Sequence, residues 1–223
     1  MSKDNVVEMK NTNFITKTFL WMFLGLFATG LIAYYTYASG MMANLLNGGA
    51  FQILCLVELV VVLVFSFLSR KLSANVVAIL YFVYAIINGV SMSVIFGAFN
   101  IKSIAIVFFG SAALFGLFAL IGYKTKADLS KVGTISLGVL FVGIILSIIN
   151  IFLGNGILDI ILNWVLLIVF FAVTAYDIQY IKKMQEAGAI SNDKLHIYGA
   201  MNIYLDFINI FLRLLAIFGK RND

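Results

Sequence analysis

Apolar residues in this chain neither alternate with polar ones nor fall into narrow stripes; they run on. Seven continuous apolar runs occur at about 18–38, 51–69, 76–97, 102–123, 132–153, 159–181 and 197–218. A helix rising about 1.5 Å per residue needs about 20 such residues to cross the roughly 30 Å of bilayer hydrocarbon, so each run predicts one membrane-spanning helix. Strands of a membrane barrel would appear instead as stretches of about 10 residues alternating in polarity. The pattern predicts an all-α polytopic membrane protein of seven spans, numbered here in chain order.

Composition agrees. Of 223 residues, 63% are hydrophobic and 11% charged, against about 25% charged in a soluble domain. A single water-soluble core of this length cannot hide that apolar fraction. The loops are short, the longest at about 182–196, so residues 1–223 read as one transmembrane domain without a repeat of identical motifs. Span 1 is too long for the apolar core of a cleaved signal and lacks a small-residue cleavage site after it. There is no proline, so any hinge has to come from glycine or from rigid tilting.

Basic residues set the expected orientation, because short cytoplasmic loops retain Lys and Arg. Lys3, Lys10, Lys17, Arg70, Lys71, Lys124, Lys126, Lys131, Lys182, Lys183 and Lys194 fall on the N-terminal side, against Lys102, Lys220 and Arg221 on the other. The N-terminus is expected in the cytoplasm and the protein in a bacterial plasma membrane. The cationic pair after span 7 pulls the other way, and raises the alternative that span 7 is re-entrant. The net charge of +5 follows from this topology and from attraction to anionic lipid headgroups, with no nucleic-acid partner implied.

Few ionisable groups lie within or beside the hydrocarbon: Glu58, Arg70, Asp177, Asp206 and Arg213, with Asp159 at an outer helix end. A charge at bilayer depth costs at least about 2.5–3.5 kcal/mol, so each should be paired, protonated or in a wet cavity. Span 7 orders its polar residues: Tyr198, Asn202, Asp206, Asn209 and Arg213 share one helical face, a stripe expected to look inward. Span 6 ends TAYDIQYIKKM. Its Thr174 and Asp177 precede the cytoplasmic lysines, and antiparallel packing of spans 6 and 7 can bring Asp177 and Asp206 to comparable depth.

If those carboxyls meet, they cannot both stay ionised without cost, so the pair should share a proton and titrate as one unit. The same oxygens, with Asn and backbone carbonyls, suit a hard cation such as Ca²⁺ transiently. Arg70 stands on the correct side to pair with either aspartate, although position alone also makes it a cytoplasmic anchor. Glu58, twelve residues before it, lies about 18 Å further along the helix. A path lined by Glu58, Asn202, Asn209, Asp206 and Asp177 would join the two faces.

Other chemistry finds little support. His196 is the only histidine and Cys55 the only cysteine; no metal-ligand cluster can be assembled from them, and His196 reads as a satisfied surface residue. There is no GxSxG turn. Span 7 contains no lysine for a retinal Schiff base, and TAYD and YLDF do not resemble the glycine-flanked aspartates of intramembrane proteases. No enzyme activity and no cofactor are expected.

TAYDIQYIKKM followed by YGAMNIYLDFINIFLRLLAIFG resembles the C-terminal signature of the Bax-inhibitor, or transmembrane Bax-inhibitor-motif, family. The resemblance covers effectively the whole chain. It implies a central span 7 between two three-helix layers and a pH-sensitive calcium leak. It also implies a pH sensor made of Asp177 and Asp206, a latch at Arg70 and a pore-facing acid at Glu58. Calcium would be the transported ion, with lipid and protons as its companions and protein partners unspecified. Two alternatives remain: a proton-coupled cation exchanger, and a non-transporting interaction or stress-regulatory protein. The sign of the pH response is open, since protonation would loosen an arginine latch yet also remove charge that attracts Ca²⁺.

Overall fold

A computed structural model describes residues 3–47, 49–69, 71–188 and 191–222, with side chains from Asn13 onward. Among the described residues the elements are all helical: α1 (Lys3–Ala38), α2 (Met41–Asn47), α3 (Ala50–Leu68), α4 (Ala74–Met92), α5 (Val94–Ala98), α6 (Ile101–Lys124), α7 (Ser130–Leu153), α8 (Gly156–Glu186) and α9 (Asn192–Phe218). Among the described residues seven stretches are long and apolar enough to cross a membrane, and each matches one predicted run, the second ending at Leu68 rather than 69.

The differences lie at the ends. Helix α1 begins at Lys3, far ahead of the apolar onset, because backbone bonding does not stop where the lipid does. Span 3 is divided at Ser93, where α4 gives way to α5. Helix α2 falls in a predicted loop; seven residues are too few to show a period. Helix α9 starts at Asn192 rather than 197, which shortens the connection from α8.

With proline absent, glycine and asparagine make the turn between α7 and α8. Gly154 closes α7 in the left-handed region at φ 61°, where a side chain would be strained. Asn155 then accepts from the N–H groups of Ile157 and Leu158 at 3.0 and 3.1 Å, capping α8. Asn150 and Asn155 exchange two further bonds across the turn. A short outer loop thereby satisfies its own backbone.

The chain forms two compact units. One comprises residues 1–99, 184–204 and 222–223; the other comprises 100–183 and 205–221. Each therefore holds three spans, and α9 is divided between them at Tyr204 and Leu205. In the first unit α4 packs on α1: Gly89 faces Ile32 and the Thr29 carbonyl with room for no side chain, and Tyr81 donates to the Trp21 carbonyl at 2.9 Å beside Gly25. In the second, Gly122 of α6 meets the Ala175 backbone of α8, and Gly133 and Gly143 of α7 meet Tyr176 and Leu166. Lipid gives helices no hydrophobic reason to associate, so close approach at small residues supplies the attraction.

Large apolar side chains such as Phe152 (86% exposed) and Phe109 (72%) point away from protein, as lipid-facing residues do. Helix α9 is the opposite case: 56% of its apolar window is buried, against 6% for α3. Its 27 residues cover about 40 Å. In the first unit His196, near its start, stacks on Phe14 of α1. In the second, Lys220 just beyond its end accepts from Asn100 N and donates to Ser103 Oγ, both at 2.8 Å and both at the start of α6. The length of α9 is enough for it to cross the bilayer, as the reading of span 7 as a full span requires.

Candidate functional site

Two polar clusters lie inside the helices, one in each unit. In the second unit, Phe207 packs edge-on against Phe108 and Phe115 of α6 at 5.3 and 5.7 Å, which fixes the rotation of α9 there. The neighbouring Asp206 is 4% exposed, and its Oδ2 has no hydrogen-bond partner among the described residues. Thr174 of α8 donates to the Phe170 carbonyl at 2.8 Å, and its hydroxyl also lies in bonding reach of the Asp206 carboxyl. Asp177, half-buried one turn further along α8, is the charged neighbour acting on Asp206. The two aspartates expected from the sequence thus lie near enough for the charge of Asp177 to act on Asp206, and a buried carboxyl oxygen without a partner is costly.

Arg213, two turns on, donates from Nη1 to Asn163 Oδ1 at 2.9 Å, with its Nε buried and unpartnered among the described residues. Asp159 in the first turn of α8 attracts it. Asn209, on the same face, gives its amide to the Leu205 carbonyl of its own helix at 2.8 Å, an option always open to a helical residue four positions on.

In the first unit Glu58 of α3 accepts from Ser91 Oγ of α4 at 2.5 Å and is also faced by the Asn88 amide. Asn88 Oδ1 accepts from the Tyr204 hydroxyl of α9 at 2.9 Å, and that hydroxyl lies 2.7 Å from Thr29 Oγ1 of α1. Tyr204, Thr29, Asn88 and Ser91 are all buried. One polar chain therefore ties α1, α3, α4 and α9 around Glu58. Sequence reasoning found Glu58 and missed its holders. Asn88 and Ser91 did interrupt an apolar run, but Tyr204 falls off the polar stripe and gives no signal.

The stripe itself is graded. Tyr198, Asn202, Asn209 and Arg213 are half-buried while Asp206 is buried. Arg70, the expected latch, lies outside the described residues. His196 is corrected from a surface residue to a buried one, 6% exposed, because α9 begins early enough to carry it against Phe14. Cys55 is exposed on α3. Among the described residues no three His, Cys, Asp or Glu groups converge as a metal cluster.

A family model described as "Inhibitor of apoptosis-promoting Bax1" matches residues 11–223. The chain belongs to this family. Its Bax-inhibitor relatives include the inner membrane protein YbhL of Escherichia coli K12, 39% identical over 98% of this chain and 97% of the relative. An uncharacterized protein of Deinococcus radiodurans is 31% identical over 100% and 96%, and one of Rickettsia prowazekii 32% identical over 100% and 95%. These bacterial relatives, together with the spans, make the chain an integral bacterial membrane protein.

Proposed function

We propose that this Bax-inhibitor family member is a passive, pH-sensitive calcium leak. Asp177 and Asp206 form one proton-sharing unit that also meets the passing ion, and Arg70 is the latch whose hold depends on their charge. The supporting observation is the buried Asp206, with Asp177 as its charged neighbour and one oxygen unsatisfied. Two carboxyls that act on each other in a low dielectric favour binding one positive charge, a proton at low pH or a cation when the proton leaves. Glu58, Asn202 and Asn209 are assigned to the rest of the path. The N-terminus is assigned to the cytoplasm by the distribution of Lys and Arg.

The test is Ca²⁺ entry into dye-loaded liposomes carrying the purified protein, with equal pH on both sides and the pH varied. A leak passes Ca²⁺ without a proton gradient, with a pH dependence that Asp206→Asn removes. Flux that appears only when a proton gradient is imposed would replace the leak by an exchanger. No flux from correctly folded and inserted protein would reject both.

A further inference from the structure

Two cavities of about 500 and 520 Å³ in the first unit share a wall made of Lys17, Asp193 and His196. They belong to neither polar cluster described above. The first continues over Trp21 and Asn75, the second over Asn13 and Asn192. Lys17 and Trp21 stand one turn apart where the apolar run of α1 begins, and Asp193 and His196 open α9. Tryptophan and lysine at the end of a span mark headgroup depth, here on the face rich in Lys and Arg.

The charges in this place are unspent. Lys17 and Asp193 are exposed, and neither makes a salt bridge among the described residues. His196 is 6% exposed, lines both cavities and feels both charges. Its Nδ1 lies 3.5 Å from Thr18 Oγ1, whose own hydrogen goes to the Phe14 carbonyl at 3.2 Å. With Thr18 accepting, the tautomer assigned to this network carries its hydrogen on Nδ1 and keeps the lone pair of a neutral imidazole on Nε2. The wall thus offers two acceptors of different type, a carboxylate and an imidazole nitrogen, beside one cationic donor.

We propose that this place binds the headgroup of an inner-leaflet phospholipid bearing a primary amine, a phosphoethanolamine lipid. The ammonium gives its hydrogens to Asp193 and His196 Nε2, the phosphodiester meets Lys17, and the glycerol and acyl chains leave past Trp21 and Leu20. A quaternary choline headgroup has no N–H to give. An anionic glycerol headgroup has no cation for Asp193.

Native mass spectrometry of the full-length protein released from mixed vesicles tests the assignment. The vesicles hold equal phosphoethanolamine, phosphocholine and phosphoglycerol lipids with matched acyl chains. Retention should favour the ethanolamine lipid. Asp193→Asn should cut that preference about fivefold, the loss of one exposed charge-assisted bond. Lys17→Gln should weaken ethanolamine and choline lipids alike, since both carry the phosphodiester, and Lys131→Gln, on the exposed start of α7, should change nothing. Equal retention of ethanolamine and choline lipids, or a preference that survives both Asp193→Asn and Lys17→Gln, overturns the proposal. So does binding of soluble glycerophosphoethanolamine without any lipid preference, which would move the ligand from bilayer to cytosol. These readouts do not depend on whether the protein passes calcium.

Discussion

At the scale of single residues, one ion pair has a clear pH signature. Asp128, between α6 and α7, holds Lys183 of α8 at 2.6 Å and accepts from Ser130 N and Oγ. These bonds lower its carboxyl from 3.8 to about 2. A carboxylate so depressed adds stability above its unfolded value and loses that contribution as pH falls from 3.8 towards 2. Both partners are exposed, so the contribution is small and screened. Asp128→Asn should lower the melting temperature slightly at neutral pH in low salt, and the difference should vanish in high salt or near pH 2; thermal melts in detergent at two salt concentrations check this. Such a pair is invisible in sequence because its members lie 55 positions apart. Asp177 and Asp206 were legible for the converse reason: charges in apolar runs stand out, and the short connection between their helices limits where they can go.

The packing of elements follows small residues more than polarity. Gly122 meets the Ala175 backbone, two residues before Asp177, so Gly122→Ala must push α6 from α8. Overpacking of this kind costs about 1–3 kcal/mol; the variant should melt lower and shift the pH dependence of calcium entry, whereas Gly116→Ala, with open space at its Cβ, should do neither. The seven spans were readable because lipid imposes length and continuous apolarity. Helix α2, the break at Ser93 and the early start of α9 were not, because each depends on backbone bonding that apolar counting ignores. The burial of His196 was missed on the same account.

For the whole molecule, seven full crossings predict the two termini on opposite sides of the membrane. In a Cys55→Ser background, cysteine at Arg221 should react with an impermeant maleimide from outside intact cells, and cysteine at Lys126 only after permeabilisation. The reverse result would invert the orientation argued from the Lys and Arg distribution; labelling of both from one side would make α9 re-entrant after all. The resemblance implied two groups of three helices about span 7, and each compact unit holds three spans with α9 divided between them; no repeated motif in the residues marks these halves. What unites the account is that α9 serves both units: Tyr204, off the polar stripe, reaches the Glu58 cluster in one, and Asp206, on it, feels the charge of Asp177 in the other.

The most direct measurement is a double-mutant cycle on the aspartates, read as the pH profile of Ca²⁺ entry into liposomes for wild type, Asp177→Asn, Asp206→Asn and the double variant. A pair that shares one proton acts as a unit. Each single change should therefore abolish the pH dependence, and the double should resemble the singles. Two separate transitions, one removed by each substitution with additive effects, would contradict the shared-proton gate.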